Sequence, residues 1–359
     1  MFKVKIGVIG CGRIAGLFHL PVLARMPGVE LCALADPDPA RLSAASALAP
    51  GPATFTSYER LIARSEAEAV VVCLPPALHA EVAVAAFDAG RHVYLEKPIA
   101  LDLAGADDVV RAWRRAGTIG MTGFNFRFNP AFMAARKRLA GGAVGEVIAV
   151  RATFCSARRN LPDWKRSRTT GGGALRDLGA HHLDLVPHLL DAPVVRVSGL
   201  ERSRFSEADT ALLHLELASG VPVEVTLSMC TGVNANRIEV LGTAGRLVVE
   251  AIDALPNPIE RAEGRHARLL RLQRVFGGLH PKRVLRSPGS EPSFAVALGV
   301  FVNAARAGRP VTPDIEDGRR CLAVVAAAER ACALGVAQTV AKDAAPPAER
   351  ASALAEVAP

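Results

Sequence analysis

From Val4 to Met121 the apolar residues switch between two periods. Val4–Ile9 is a short apolar run ending in glycine and predicts a buried strand. Residues 13–26 then have helical spacing. Residues 30–35 predict a second strand, which ends at Asp36, and Pro39–Leu48 a helix. Residues 69–74 (Ala-Val-Val-Val-Cys-Leu) are continuously apolar, as in a parallel strand covered on both faces. Residues 77–89 predict a helix closed by Gly90, His92–Leu95 a strand, Leu103–Ala116 a helix and residues 119–121 a strand. This alternation implies a parallel sheet with right-handed crossovers.

After Phe124 the pattern changes. Residues 129–139 predict a helix, 147–154 a strand and 175–190 a helix. Four runs follow closely, at 194–199, Thr210–Leu217, 221–229 and 237–241. In the third, Val221, Val223, Val225, Leu227 and Met229 alternate with Glu224, Thr226 and Ser228. A period of two marks an antiparallel sheet with one covered face, and Ser219-Gly220 suits a hairpin turn before it. Residues 293–307 and 314–334 predict two helices that close this part. The fold class is α/β: a Rossmann domain at 1–123, then an α+β domain at 124–341 with an open, largely antiparallel sheet. Residues 342–359 hold Ala, Pro and charge without periodicity and read as a frayed tail.

Composition narrows the class. The 359 residues are 50% hydrophobic and 22% charged, enough apolar content for two cores and too much for a disordered chain. The seven cysteines form no C-x-x-C pair, which speaks against a zinc ribbon or a disulfide framework and for buried thiols in a reducing cytoplasm. No metal site is read. No apolar run approaches a membrane span, because Pro75 and Pro76 break the longest tract. The first residues read as a strand rather than a signal segment, so a cytoplasmic protein is expected. The net charge of +8 raises the question of nucleic acid, but 5% aromatic content and no RNA motif leave that reading unsupported.

The first chemistry lies at Gly10-Cys11-Gly12-Arg13-Ile14-Ala15, between the first strand and first helix. It fits the G-x-G-x-x-A dinucleotide fingerprint. Gly10 permits the tight turn, Gly12 lets backbone approach a pyrophosphate, and Ala15 lets helix and strand pack closely. The helix start offers N–H donors to the anion. Asp36 stands where an acidic residue accepts the ribose hydroxyls and repels a 2′-phosphate, which favours NAD over NADP. Arg41 either softens that preference or is a solvated helix residue.

Three further stretches narrow the reading. Residues 72–79 (Val-Cys-Leu-Pro-Pro-Ala-Leu-His) and Glu96-Lys97-Pro98 each follow a strand. Residues 171–184 (Gly-Gly-Gly-Ala-Leu-Arg-Asp-Leu-Gly-Ala-His-His-Leu-Asp) open the helix of the second domain. With the fingerprint, with residues 123–130 (Gly-Phe-Asn-Phe-Arg-Phe-Asn-Pro) at the junction, and with 238–243 and 313–318, the chain resembles the Gfo/Idh/MocA oxidoreductases over nearly its whole length. These are the glucose–fructose oxidoreductase and inositol dehydrogenase group.

The resemblance implies hydride transfer between a nicotinamide and a carbinol carbon of a sugar, cyclitol, aminosugar or nucleotide sugar. It places the catalytic lysine at Lys97 and the D-x-x-x-H pair at Asp177 and His181. It implies cofactor contacts from Gly10, Cys11, Gly12, Arg13, Ile14, Asp36, Leu74, Pro75, His79, Glu96 and Lys97. It also implies a homodimer or homotetramer formed through the C-terminal sheet, and a Lys97-Pro98 bond that is often cis.

Elementary chemistry supports these roles independently. Lys97 follows a strand at the carboxyl edge of the sheet, where open α/β sheets bind ligands. Asp177, His181 and Asp184 lie at i, i+4 and i+7, one helix stripe. A histidine near its ordinary pKa suits removal of a hydroxyl proton, a neighbouring carboxylate can orient it, and a lysine can polarise the oxygen.

Alternatives stand beside each role. Lys97 could pair with Glu96, and His182 could replace His181 as base. His79 and Asn125 line the nicotinamide side or satisfy structural hydrogen bonds. Arg127 is a substrate contact or an anchor between domains. Trp164 and Lys165 suit the substrate wall. The eight cations from Arg261 to Arg286 either attract an anionic substituent near the site or form a solvated helix face. Rival functions are redox-assisted elimination or glycoside hydrolysis with retained NAD, and a non-catalytic NAD sensor.

Overall fold

Six parallel strands lie side by side: β1 (Val4–Ile9), β2 (Val29–Ala35), β3 (Ala53–Phe55), β4 (Ala69–Val72), β5 (His92–Leu95) and β6 (Gly120–Thr122). Their order is β3-β2-β1-β4-β5-β6. The computed structural model describes residues 3–250 and 292–341, so the basic stretch 261–286 and the tail 342–359 lie outside the described residues. Strand order reverses between β1 and β4, and a doubly wound sheet opens its ligand crevice at that switch point.

The continuous apolar run of β4 has its explanation in the two faces. Ala69 and Val71 join Ile6 and Val8 in one buried cluster, while Val70 and Val72 join Ile9 in another. Helices α1 (Leu20–Leu23) and α2 (Pro39–Leu48) cover the first cluster. Helices α3 (Tyr58–Arg64), α4 (His79–Asp88) and α5 (Leu103–Ala116) cover the second. Asp38 and Asp102 cap α2 and α5 by accepting the Ala40 and Gly105 N–H groups.

The second sheet has the order β12-β11-β7-β10-β9-β8-β13. Its strands are β7 (Val147–Ala157), β8 (Val194–Arg202), β9 (Thr210–Leu217), β10 (Pro222–Thr231), β11 (Ala235–Gly242), β12 (Gly245–Glu250) and β13 (Gln338–Thr339). Every pair is antiparallel except β7 with β10. The paired row Gly199, Leu213, Val225, Ala152 and Ile238 belongs to the inner face, and all but Gly199 join the core beneath α6 (Pro130–Ala140) and α7 (Ala180–Leu190). The adjacent row, Leu200, Leu212, Thr226, Thr153 and Arg237, faces the other way and carries two exposed leucines.

The last two helices part company. In α8 (Pro292–Ala307), Ala297, Leu298 and Phe301 pack with Ile6, Val8 and Tyr94, so the chain crosses back to the first sheet. In α9 (Ile315–Leu334), Leu322 and Val325 join the cluster shared by both sheets. The Asp314–Asp317 capping box starts α9, and Thr122 Oγ1 donates to the Asp314 carbonyl (2.8 Å) beside the edge strand β6. No helix of the described residues is long and apolar enough to cross a membrane.

Candidate active site

At the carboxyl end of β1, Gly10 has φ +92°, and a Cβ there would meet the Cys73 carbonyl at 2.5 Å. Glycine is required on both counts. A Cβ on Gly12 would meet nothing within 4 Å, so space stands open beside the turn, as a pyrophosphate cradle needs. The following helix opens with a π-helical turn at Ala15–His19 before α1. Ala15 is fully buried, which allows the close packing its size suggested.

Asp36 is buried at the end of β2. Its Oδ2 accepts the Cys11 N–H (2.9 Å) and its Oδ1 the Asp38 N–H (2.9 Å). The carboxylate is thereby fixed against the fingerprint turn, and each oxygen keeps a further lone pair for a ribose hydroxyl. Arg41 pairs with Asp38 at 3.4 Å, both exposed. Leu74 and Pro75, half-buried, leave β4 next to this turn.

Four predicted residues are engaged within the protein. The His79 ring spans two carbonyls, with Nδ1 at 2.6 Å from Pro98 O and Nε2 at 2.8 Å from Leu74 O. It ties the loop after β4 to the turn carrying Lys97, whose bond to Pro98 is cis. Glu96 accepts from His19 Nε2 (2.8 Å). Asn125 donates to Ser293 Oγ (2.8 Å) of α8. The Arg127 guanidinium grips both oxygens of Asp184, with Nε at 2.8 Å, and reaches Asp317 at 3.4 Å. It joins α7 to α9.

Lys97, Asp177 and His181 do converge, and a fourth residue joins them. Lys97 Nζ donates to the backbone carbonyl of Asp177 (2.6 Å) and lies 3.6 Å from its carboxylate. That carboxylate is held by Lys165, whose Nζ donates to Oδ1 and Oδ2 at 2.8 and 2.7 Å. Lys165 rides on a loop that folds against the glycine turn. A Cβ on Gly172 would collide with the Lys165 carbonyl, so glycine there admits the loop. Trp164 is half-buried, with the Lys165 ammonium 5.1 Å from its ring centre.

Asp177 therefore does not hydrogen-bond His181, and its influence on the ring is electrostatic. Burial alone would push the Asp177 carboxyl up, but the Lys165 and Lys97 ammoniums outweigh it and hold the group ionised, well below the usual range. The His181 ring stacks on Phe126 (centroids 4.5 Å apart) and meets Phe154 edge-on. Burial, aided by Lys97, holds His181 well below its ordinary value, so the imidazole is neutral. Its Nδ1 has no partner among the described residues. His182 points elsewhere: its Nε2 pairs with Asn236 Oδ1 (2.8 Å), and burial pushes it down to about 4. Burial lowers Lys165 as well, against the pull of Asp177.

Comparison with known proteins gives the family. Residues 4–124 match the oxidoreductase family described as GFO/IDH/MocA, NAD-binding Rossmann fold, and residues 132–248 match the GFO/IDH/MocA C-terminal domain. The inositol 2-dehydrogenase of Rhizobium meliloti is 30% identical, over 92% of this chain and 97% of its own. The dTDP-3,4-didehydro-2,6-dideoxy-alpha-D-glucose 3-reductase of Streptomyces violaceoruber is 31% identical, over 74% of this chain and 80% of its own. Among solved structures, the WlbA dehydrogenase of Bordetella pertussis, in complex with NADH and UDP-GlcNAcA, superposes with a TM-score of 0.80. It is 25% identical and covers 95% of this chain and 99% of its own.

Proposed function

The chain belongs to the GFO/IDH/MocA oxidoreductase family, and from that premise we propose that Lys97, Asp177 and His181 carry its chemical step. It is an NAD-binding oxidoreductase of the sugar, cyclitol and nucleotide-sugar type. The observation that carries the proposal is the meeting of a neutral, half-buried imidazole, a lysine at the carboxyl edge of the first sheet and an ionised carboxylate. A bound nicotinamide would supply the partner for hydride transfer to or from the carbinol carbon.

The protein's own groups handle the proton. His181 takes it from the substrate hydroxyl, as its neutral state allows. The Lys97 ammonium, anchored on the Asp177 carbonyl, polarises that oxygen. Asp177 favours the imidazolium that forms, and Lys165 keeps Asp177 ionised. Gly10, Gly12 and Asp36 would hold the dinucleotide. The outward row of the second sheet, with Leu200 and Leu212, is the surface through which we propose copies of the chain meet.

The function is tested by incubating the purified protein with NAD or NADP and a panel of sugars, inositols, aminosugars and nucleotide sugars, and following reduced nicotinamide by absorbance. No reduction with any member would sink the dehydrogenase reading. NAD should bind more tightly than NADP, because the Asp36 carboxylate faces the place of a 2′-phosphate. Asp36→Asn should narrow that preference on the order of tenfold or more, since like charges brought together cost several kcal/mol. Titration of both cofactors decides it, and tighter NADP binding by the unaltered protein would shift attention to Arg41 or Arg13.

Lys165→Met should move the acid limb of the kcat/KM profile to higher pH. Without that ammonium, burial raises the Asp177 carboxyl, and His181 loses one of the cations that depress it. Both groups then take up protons at higher pH, and Lys165→Arg should restore the limb in part. An unmoved limb in Lys165→Met would separate Lys165 from the ionisation of the site.

A further inference from the structure

The loop that brings Lys165 to Asp177 builds a second feature outside the catalytic group. Arg158, Arg159 and Arg166 line a pocket of about 110 Å³ together with Asn160, Phe205 and Ser206, and no carboxylate lines it. None of these three arginines has an ion-pair partner among the described residues. Their neighbour Arg168 shows the contrast, since Glu201 and Glu207 neutralise it.

The pocket wall is held in place. The Arg158 guanidinium lies 4.1 Å from the Phe205 ring centre and that of Arg204 lies 5.4 Å from it. Asp209, the nearby carboxylate, is buried and turned to the wall itself: one oxygen accepts the N–H groups of Arg204, Phe205 and Ser206. Arg159 is near enough to Lys165 for its charge to depress that ammonium's pKa. Arg166 follows Lys165 directly in the chain, so the pocket adjoins the loop that holds Asp177. All three arginines are exposed and without an ion-pair partner among the described residues, and guanidinium N–H donors bind oxyanions through pairs of hydrogen bonds.

We propose that the pocket lined by Arg158, Arg159 and Arg166 is the subsite for an oxyanion, a phosphate or a carboxylate, carried by the substrate sugar or cyclitol. The proposal rests on the dehydrogenase reading of the adjacent site. A charge-assisted hydrogen bond is worth ~1.5–3 kcal/mol, which is about ten- to a hundredfold in binding.

The test uses protein saturated with NAD, so that the fingerprint turn is filled. It is titrated calorimetrically with inorganic phosphate, pyrophosphate and glucuronate, beside the triple variant Arg158→Ala/Arg159→Ala/Arg166→Ala and the single variant Arg159→Glu. Saturable binding is expected, weakened by salt and at least tenfold weaker in both variants. Response to the phosphates alone points to a phosphorylated or nucleotide sugar, and response to glucuronate alone to a uronate. In turnover, the triple variant should lower the kcat/KM ratio of an anionic sugar to its neutral parent by a similar factor. Absence of saturable binding, or binding that both variants leave unchanged, overturns the subsite even if neutral sugars reduce NAD. Binding lost in the variants, with no sugar oxidised, upholds the subsite and fails the dehydrogenase reading instead.

Discussion

A His181→Ala protein should bind NAD as the unaltered chain does and turn over about 10²–10⁴-fold more slowly. The half-buried ring lies between Phe126 and Phe154, is held neutral by its surroundings, and keeps Nδ1 without a partner among the described residues. The ring is thereby unprotonated and able to take a proton, and the Asp177 charge favours the imidazolium that forms. Lys97→Ala should lose a similar factor, because its ammonium is fixed on the Asp177 carbonyl at the mouth of the same group. The double variant should lose less than the product of the two, since groups acting on one oxygen are not additive. Asp177→Asn removes the negative charge that raises His181, so the acid limb of its pH profile should move down. His182→Ala is the control: it breaks a buried hydrogen bond to Asn236 and should cost stability rather than the chemical step. The measurement is kcat for each variant with NAD affinity in parallel. Near-normal turnover in His181→Ala or Lys97→Ala would take that residue out of the mechanism and favour a non-catalytic NAD sensor.

What the sequence made legible follows physical lines. Helices Pro39–Leu48 and Leu103–Ala116 and strand Thr210–Leu217 fall where the period puts them, because local pattern decides them. Strand β3 and the two-residue β13 were not legible: each is short and at a sheet edge, with too few buried side chains to leave a period. Helix α3, a single amphipathic turn pair with Leu61 alone fully buried, left as little. Helix α8 was legible as a helix but not in its partner, since an apolar stripe reports that it is covered and not by which sheet. The parallel pairing of β7 with β10 likewise needs the assembled sheet.

The candidate site divides in the same way. The fingerprint, Lys97 and the D-x-x-x-H pair are contiguous signals tied to strand ends and one helix. In the sequence, Lys165 suits only the substrate wall. Its hold on Asp177 depends on a loop folding back across the glycine turn, and no spacing in the chain encodes that return. His79 and Asn125 show the reverse case, with polar residues beside the site tied into backbone carbonyls and α8.

Arg127→Met should destabilise the protein by about 3–5 kcal/mol, the usual consequence of stranding a buried charge. Melting should fall by roughly 10 °C. The guanidinium holds both oxygens of Asp184 on α7 and reaches Asp317 on α9, with all three side chains largely buried. Asp317 would keep Arg320, whereas Asp184 would lose its bidentate partner. Burial pushes the Asp184 carboxyl up to about 6 even with the guanidinium in place. Without it, that carboxyl rises further above its unfolded value, so the deficit is full only at pH above the raised pKa. It shrinks as pH falls through the raised pKa, where the buried carboxyl becomes neutral. Adding Asp184→Asn should recover part of the loss by removing the unpaired charge. Thermal melts across pH on the single and double variants separate the two roles open to Arg127. An anchor between helices lowers the melting temperature in this pH-dependent way. A substrate contact would leave the melt unchanged and raise KM, and that result would move Arg127 from the junction into the substrate site.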